Sequence, residues 1–344
     1  MKIAYTLSGG AAYGYAHIGV LKFLEELHLK PAAIAGTSMG AIVGGLYSYG
    51  YDAGQIEQIA EKIRSLELVR LFFPSFPRGG IIDTDGIRDF FFGFIQDARI
   101  EELPVQFRSV AVDIKSGEEI VFDSGKLIDA ILSSMSIPAV FKPYPYHGRF
   151  LVDGGVVNNL PWDIAGELGE VNIVLDVAPQ AEKPNPDRIF TSGILGKDLA
   201  EDSSALPGKT RRRAQENRLK NEEFHTQLKK LIQAIQHGDD TVSIKDLVHK
   251  FTRSVENKKE AQSIPEIITR VMAITNEYTQ RPPSNQKGKT IYLHTDLMDY
   301  SLNDFHKADA IIEEGYKAAA ETAAFREAVE KLAARIHRKS NIDI

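Results

Sequence analysis

Two short apolar strands near the start of the chain are each followed by a glycine turn and a helix, and this repeated unit constrains the fold most. The apolar run at residues 3–7 meets the turn Ser8-Gly9-Gly10, after which apolar side chains recur at helical spacing. A second apolar run at 32–35 meets the turn at 36–40, and an apolar helix is predicted over 41–49. Because strands connected through a helix run parallel, the pattern predicts an α/β fold with a largely parallel sheet.

Later strands and one compositionally distinct segment complete the predicted organisation. Strands are predicted at 108–114 and 119–123, which form a hairpin, and at 150–152, 171–177 and 290–294. Residues 183–262 begin with loop composition, carry a basic run at 209–213 and contain two amphipathic helical patterns. We therefore predict one main domain, residues 1–182 and 263–340, interrupted by a charged and mainly helical insert at 183–262.

The composition limits the classes of protein to which the chain belongs. The absence of cysteine excludes disulfides and thiolate metal sites, and the formal charge of -6 argues against a general nucleic-acid binder. The apolar start at residues 1–7 is cut short by glycines, and no run approaches the roughly 18 apolar residues of a membrane span. We therefore expect no targeting segment and a cytoplasmic location.

The turn Gly36-Thr37-Ser38-Met39-Gly40 fits the G-x-S-x-G nucleophile elbow. In such an elbow, small flanking residues allow a strained turn to lift the serine hydroxyl clear of a sheet and onto the start of a helix. The turn lies between a short apolar strand and an apolar helix, which is the context that the elbow requires. Ser38 is therefore a candidate nucleophile, and the alternative is that it merely caps the helix.

The earlier turn, residues 8–14, is a second loop of small residues that opens a helix. Free backbone N–H groups at such a position can hold a developing negative charge. A nucleotide loop is disfavoured, because Ala11 stands where G-x-G-x-x-G requires glycine and Tyr15 stands where a P-loop requires lysine. The candidate oxyanion donors are the N–H groups of Gly9, Gly10, Ala11 and Ala12.

A serine nucleophile needs a base within hydrogen-bond reach, and histidine or a carboxylate can take that role. His294 and His306 lie where the last member of a hydrolase triad could fall, and His17 is interpreted as a packing residue beside the glycine loop. Asp153-Gly154-Gly155 places a carboxylate at the end of a predicted strand, before two glycines that leave room for a close neighbour. A D-G-G taken alone is more often a turn, so both kinds of base stay open at this point.

Taken together, the three motifs resemble the patatin-like phospholipase family, in its bacterial form. Members carry a glycine-rich oxyanion loop, a G-x-S-x-G serine and a D-G-G or D-G-A aspartate in this order along the chain. The similarity extends through residues 16–21, 136–138, 141–143, 152–161 and 289–336. The resemblance therefore covers most of the chain outside the predicted insert.

The resemblance implies a three-layer α/β/α sandwich with a mostly parallel central sheet. It implies that Ser38 is the nucleophile and Asp153 the general base of a dyad without histidine, with Gly36, Gly40, Gly154 and Gly155 as motif glycines. It further implies hydrolysis of carboxylic esters in phospholipids or lysophospholipids through an acyl-enzyme intermediate, without a metal or other cofactor. The expected partner is a lipid ester substrate.

The chain departs from the family pattern at the glycine loop and at the insert. Ala11 and Tyr13 stand where the family usually has a third glycine and an arginine or lysine, although the backbone N–H donors survive both changes. Two other functions stay open. An acyltransferase would use the same intermediate, but Thr37 replaces the histidine of its usual G-H-S-x-G elbow. A non-catalytic lipid-binding or regulatory module is the second.

Two aromatic segments and the insert suggest further contacts with lipid. Phenylalanines concentrate at 71–76 and 90–94, where they either line an acyl-chain tunnel or pack in the core. The amphipathic helices and basic run of the insert are compatible with transient contact at a membrane surface. Their polar faces mix acids with bases, which favours packing against protein.

Overall fold

A computed structural model of the chain describes residues 1–64, 84–138, 140–178 and 290–340, and their central feature is an eight-stranded sheet. The strands are β1 Ile3–Leu7, β2 Ala33–Thr37, β3 Gln106–Asp113, β4 Glu119–Phe122, β5 Tyr144–Tyr146, β6 Arg149–Asp153, β7 Val171–Asp176 and β8 Thr290–His294. Every strand predicted from the sequence is present, with shifts of one or two residues at several ends.

The helices of the described residues lie between these strands or after the last one. They are α1 Ala16–Glu26, α2 Met39–Tyr49, α3 Ala53–Arg64, α4 Asp85–Ile95, α5 Leu127–Ser134, α6 Trp162–Gly166, α7 Ala308–Glu321 and α8 Ala323–Ser340. Short 3-10 turns lie at Ala11–Tyr15, Ile100–Glu102, Gly154–Val156 and Phe305–Lys307. The two strand–turn–helix units predicted at the start of the chain are thus confirmed as β1–α1 and β2–α2.

The sheet is mixed, with a parallel part formed by the α/β units. Strands pair in the order β5-β6-β3-β2-β1-β7-β8, and β4 adds to β3 outside this path. The pairings β3–β2, β2–β1, β1–β7 and β7–β8 are parallel. The predicted hairpin β3–β4 is antiparallel, as are β3–β6 and β5–β6. The predominantly parallel α/β class is therefore confirmed, with an antiparallel end that carries Asp153.

Helices cover both faces of the sheet, which gives the expected three layers. Side chains alternate along β1, so that Ile3, Tyr5 and Leu7 enter the larger core with α1, α2, α3, α5 and α7. Ala4 points to the other face, where small residues of β2 and β3 pack against Ile164 of α6. Small side chains on that face let a short helix approach the sheet closely.

The last helices are tied to the first one by a close crossing of α1 and α7. A Cβ on Gly19 would lie 1.9 Å from the carbonyl oxygen of Ile312, and one on Gly315 would lie 2.0 Å from that of Ala16. Only glycine allows two helix backbones to approach so closely. The crossing anchors the segment that follows β8 beside the first glycine loop.

Two predictions concern residues outside the described ranges. The helical insert at 183–262 and the aromatic segment at 71–76 both lie there, so the insert and its domain boundaries stay predictions. Across the four described stretches, no helix is long and apolar enough to cross a membrane.

Candidate active site

The turn between β2 and α2 has the backbone geometry of a strained elbow. Ser38 has φ 55° and ψ -121°, a positive φ that residues other than glycine rarely adopt, and α2 begins at the next residue. A Cβ on Gly36 would lie 2.3 Å from the carbonyl oxygen of Gly40, and one on Gly40 would lie 2.2 Å from that of Leu7. The two glycines of the motif are therefore required by backbone packing around the serine.

The sheet register brings Asp153 to the end of β2. The two strands β2 and β4 both pair with Val110 of β3, so they lie on opposite edges of β3. The two strands β4 and β6 both pair with Ala111, so they also lie on opposite edges. Consequently β2 and β6 share one edge of β3 and meet end to end, with Thr37 opposite Val110 and Asp153 opposite Ala111. Ser38 and Asp153 are neighbours for this reason.

The Ser38 hydroxyl lies close enough to the Asp153 carboxylate to favour its charged form. Asp153 is only 2% exposed, and its Oδ1 accepts the Gly155 N–H at 2.7 Å. Burial raises the pKa of Asp153 to about 7, although Ser38 and the Gly155 N–H both favour the charged form and pull the pKa down. A carboxyl with a pKa near neutrality can both accept and return a proton.

The two glycines after Asp153 have different roles. A Cβ on Gly154 would lie 2.3 Å from the carbonyl oxygen of Val110, so this glycine lets the turn pass close to β3. Gly155 contributes its backbone N–H to the carboxylate. The D-G-G motif thus combines a close approach with a donor that orients the candidate base.

Two serines at the end of α5 hold the backbone of both candidate residues. The Ser38 N–H donates to Ser134 Oγ at 2.9 Å, and the Asp153 N–H donates to the Ser136 carbonyl oxygen at 2.9 Å. Both serines are fully buried. Sequence reasoning missed Ser134, because a serine at the end of an apolar helix carries no motif of its own. Ser136 lies in a segment that contributes to the resemblance.

The first glycine loop lies directly beside Ser38. A Cβ on Gly9 would lie 3.1 Å from Ser38 Cβ. The Gly9 N–H donates to the Asn159 carbonyl oxygen at 2.9 Å, and the Ala12 N–H donates to that of Leu302 at 3.1 Å. These two bonds engage two of the four predicted oxyanion donors. Within the described part of the chain, the N–H groups of Gly10 and Ala11 have no acceptor.

An apolar pocket opens at Ser38. Its volume is about 400 Å³ including its open mouth, and it is lined by Ala11, Ser38, Met39, Ile42, Ile63, Met135, Ile137, Phe141 and Phe305. Among the described residues, the aromatic lining comes from Phe141 and Phe305. None of the phenylalanines at 90–94 lines this pocket, and Phe91 is buried in the core.

The histidines weighed as alternative bases have other contacts. His17 Nε2 lies 2.8 Å from the Ser8 carbonyl oxygen, and burial lowers its pKa to about 4, so the ring is neutral near pH 7. His294 Nδ1 lies 3.8 Å from Asp176 Oδ2, and the His306 side chain is 64% exposed beside Asp304. The ionisable group beside the Ser38 hydroxyl is the carboxyl of Asp153.

Comparison with known proteins gives a family for the part of the chain that holds all three motifs. Residues 5–165 match the family described as patatin-like phospholipase. An uncharacterized NTE family protein of Mycobacterium tuberculosis is 36% identical over 190 residues, which cover 54% of this chain and 52% of that protein. The human patatin-like phospholipase domain-containing protein 6 is 33% identical over 186 residues, 52% of this chain and 14% of that protein.

A solved structure shows a weaker likeness. The crystal structure of VipD from Legionella pneumophila aligns with a TM-score of 0.39 and 13% identity, covering 93% of this chain and 66% of that one. The chain spans about half the length of the mycobacterial relatives it matches. The matched residues 5–165 run from β1 through α6 and include the elbow, the glycine loop and Asp153, and on this ground this part of the chain belongs to the patatin-like phospholipase family.

Proposed function

We propose that the chain is a lipid acyl hydrolase that cleaves carboxylic esters of phospholipids or lysophospholipids with a Ser38–Asp153 dyad. One observation carries the proposal. The hydroxyl of a serine held at positive φ lies beside a buried carboxylate whose pKa is raised to about 7. A serine that served only as a helix cap would require neither the strained backbone nor a buried acidic partner.

In the first step, the Asp153 carboxylate accepts the hydroxyl proton as Ser38 Oγ attacks the acyl carbonyl carbon. The carbonyl π electrons move to oxygen, which gives a tetrahedral oxyanion. When the oxyanion collapses, the ester C–O bond breaks and the leaving alcohol takes the proton from Asp153. The products are the free alcohol portion of the lipid and an acyl ester on Ser38.

Stabilisation of the oxyanion falls to the first glycine loop. The N–H groups of Gly10 and Ala11 are the proposed donors, because those of Gly9 and Ala12 already bond Asn159 and Leu302. Donors fixed in advance at the place where charge develops are worth about a hundredfold or more in rate for each donor.

The pocket at Ser38 supports a lipid as the substrate. Its walls are formed by alkyl, thioether and phenyl side chains, and none of the described residues that line it is charged. An acyl chain in this pocket would place its ester carbonyl at Ser38 and leave the polar part of the lipid outside.

The second step returns the enzyme to its starting state. A water molecule gives a proton to Asp153 and attacks the acyl-serine carbonyl. Collapse of the second oxyanion breaks the bond to Ser38 Oγ, which recovers the proton from Asp153. Fatty acid is released, and the same carboxyl has served as base and acid in both halves of the reaction.

The test combines hydrolysis with labelling by a fluorophosphonate, which modifies only an activated serine. We expect release of fatty acid from a lysophospholipid or a nitrophenyl ester, and stable labelling, both abolished in Ser38→Ala. Ser48→Ala is a matched control, because Ser48 is a buried serine on α2 with no bonded partner among the described residues. Hydrolysis that survives in Ser38→Ala contradicts the proposal. Failure of the wild type to label supports a non-catalytic lipid-binding module.

A further inference from the structure

The first glycine loop is held in place from outside, by segments far away in the sequence. Gly9 forms one pair of bonds with Asn159, whose carbonyl accepts the Gly9 N–H at 2.9 Å and whose Nδ2 donates to the Gly9 carbonyl at 3.2 Å. Asn159 follows the D-G-G turn. This pair fixes the start of the loop relative to the candidate base.

The other end of the loop is bound to the segment after β8. The Ala12 N–H donates to the Leu302 carbonyl oxygen at 3.1 Å, and the Tyr13 hydroxyl donates to the Tyr300 carbonyl oxygen at 2.7 Å. Tyr13 is 6% exposed, so its hydroxyl bonds within the protein. The two bonds are made by adjacent residues to carbonyls two residues apart, so they act as one clamp.

One of the two residues between these attachments is under backbone strain. Ala11 has φ 47°, in the left-handed region that favours glycine. Such a conformation is kept when contacts with the surrounding protein outweigh the backbone preference of the residue itself. Because Ala11 is one of the two proposed oxyanion donors, the direction of its N–H depends on the clamp beside it.

The segment that accepts these bonds also forms part of the pocket. Phe305, three residues after Leu302, lines the pocket at Ser38, and its ring lies edge-on to Tyr15 with centroids 5.9 Å apart. Lys307 Nζ lies 5.7 Å from the centroid of the Tyr300 ring. The clamp therefore connects the loop to a segment that is itself packed against the site.

We infer that Tyr13 is a positioning residue, whose hydroxyl bond to Tyr300 holds the Gly10 and Ala11 N–H groups in the direction that an oxyanion requires. The family pattern has a cation at this position, whereas this chain uses a neutral hydrogen bond across 287 residues of sequence. The inference rests on the proposed function, since it assigns the loop to the oxyanion.

The first experiment compares Tyr13→Phe with the matched control Tyr15→Phe. Each variant loses only a hydroxyl. The Tyr15 hydroxyl is buried and has no hydrogen-bond partner among the described residues, so its removal leaves the loop intact. We expect kcat of Tyr13→Phe to fall on the order of tenfold with KM within about twofold, less than for outright loss of a donor. Tyr15→Phe keeps the wild-type kcat.

Two additions separate positioning from a general loss of structure. An alkyl boronate forms a tetrahedral, negatively charged adduct with serine that mimics the oxyanion. It should bind Tyr13→Phe more weakly by the same factor as the fall in kcat. A para-aminophenylalanine at position 13 supplies a new N–H donor and should restore the rate. Equal kcat in Tyr13→Phe and Tyr15→Phe overturns the inference, as does a rise in KM without a fall in kcat.

Hydrogen exchange tests the clamp without any catalytic readout. In Tyr13→Phe, the peptide spanning residues 9–15 should exchange several-fold faster than in the wild type, whereas Tyr15→Phe should match the wild type. Unchanged exchange in Tyr13→Phe overturns the clamp even if the enzyme is active. If the wild type is inactive but Tyr13→Phe still exchanges faster than the wild type, the hydrolase proposal is contradicted and the clamp remains.

Discussion

The two glycine loops at the candidate active site reach strained conformations by different means. At the elbow, Ser38 has a φ of 55°. Gly36 and Gly40 let the backbones of β1, β2 and α2 approach so closely that a Cβ at either glycine would clash. At the first loop, Ala11 has a φ of 47° without glycine at that position, and Tyr13 bonds a distant segment.

The difference shows which interactions hold each strained loop in its conformation. The elbow is determined by residues within a few positions of the serine and by the strand next to it, so its glycines can hardly be replaced. The first loop uses an ordinary residue at a strained position and relies on tertiary hydrogen bonds to hold it there. We therefore expect changes at the elbow and its base to be severe and changes within the first loop to be graded.

The largest effect is expected for Asp153→Asn. Asparagine keeps the shape and can still accept the Gly155 N–H, but it cannot take the Ser38 proton. We expect kcat to fall about 10⁴-fold, as in other hydrolases that lose the acidic member of the catalytic group, while the fold is retained. Steady-state hydrolysis together with circular dichroism measures both.

The control for this change is His294→Asn, which should keep hydrolysis within a few-fold of the wild type. His294 lies beside Asp176 at the other end of the sheet. An Asp153→Asn variant that stays active while His294→Asn loses activity would replace the dyad with a histidine-based site.

Gly40→Ala tests the local packing of the elbow. The added Cβ would lie 2.2 Å from the Leu7 carbonyl oxygen and 2.6 Å from that of Ser8, so β1 and α2 must separate. We expect the free energy of unfolding to fall by at least about 3 kcal/mol, measured by urea denaturation. Gly93→Ala, in α4 with no atom within 4 Å of the new Cβ, should change it by at most about 1 kcal/mol in the stabilising direction. Similar losses in both variants would contradict the packing explanation.

The pH dependence should reflect the buried carboxyl. Because the charged form of Asp153 is the base and its pKa is about 7, kcat/KM should rise with pH and level off above 7. At two pH units below that pKa, the rate should be about a hundredfold lower. A profile that is flat between pH 5 and 8 would exclude Asp153 as the base.

The same shift predicts the pH dependence of stability. Between the usual carboxyl pKa of 3.8 and about 7, the folded state holds a proton that the unfolded state releases. The free energy of unfolding should therefore decrease as the pH rises through this window. Asp153→Asn should reduce the slope, as measured by denaturation at several pH values.

The smallest effect is expected for Ala11→Gly. Glycine removes the strain of a positive φ, about 1 kcal/mol, but increases the conformational freedom of the unfolded chain by a similar amount. We expect the free energy of unfolding to change by less than about 1 kcal/mol and hydrolysis to stay within about threefold. A loss like that of Gly40→Ala would remove the distinction between the two loops.

Much of the fold could be predicted from local patterns. The alternation of apolar strands with helical spacing predicts every described strand except the short β5, and β2 and α2 lie on either side of the predicted elbow. Asp153 was selected mainly through the family resemblance, since a D-G-G has little meaning without its neighbours. The contacts of Ser134 with Ser38 and of Leu302 with Ala12 could not be predicted, because each joins residues far apart in sequence that carry no motif.

By itself, the sequence determined the elements, the parallel α/β units and the candidate serine, because helix, strand and elbow depend on side-chain periodicity and on glycines within a few residues. Only the tertiary structure decided which base meets that serine and which loop N–H groups stay available. Those outcomes depend on β2 and β6 meeting end to end along β3, and on hydrogen bonds that connect the first loop to residues 159, 300 and 302.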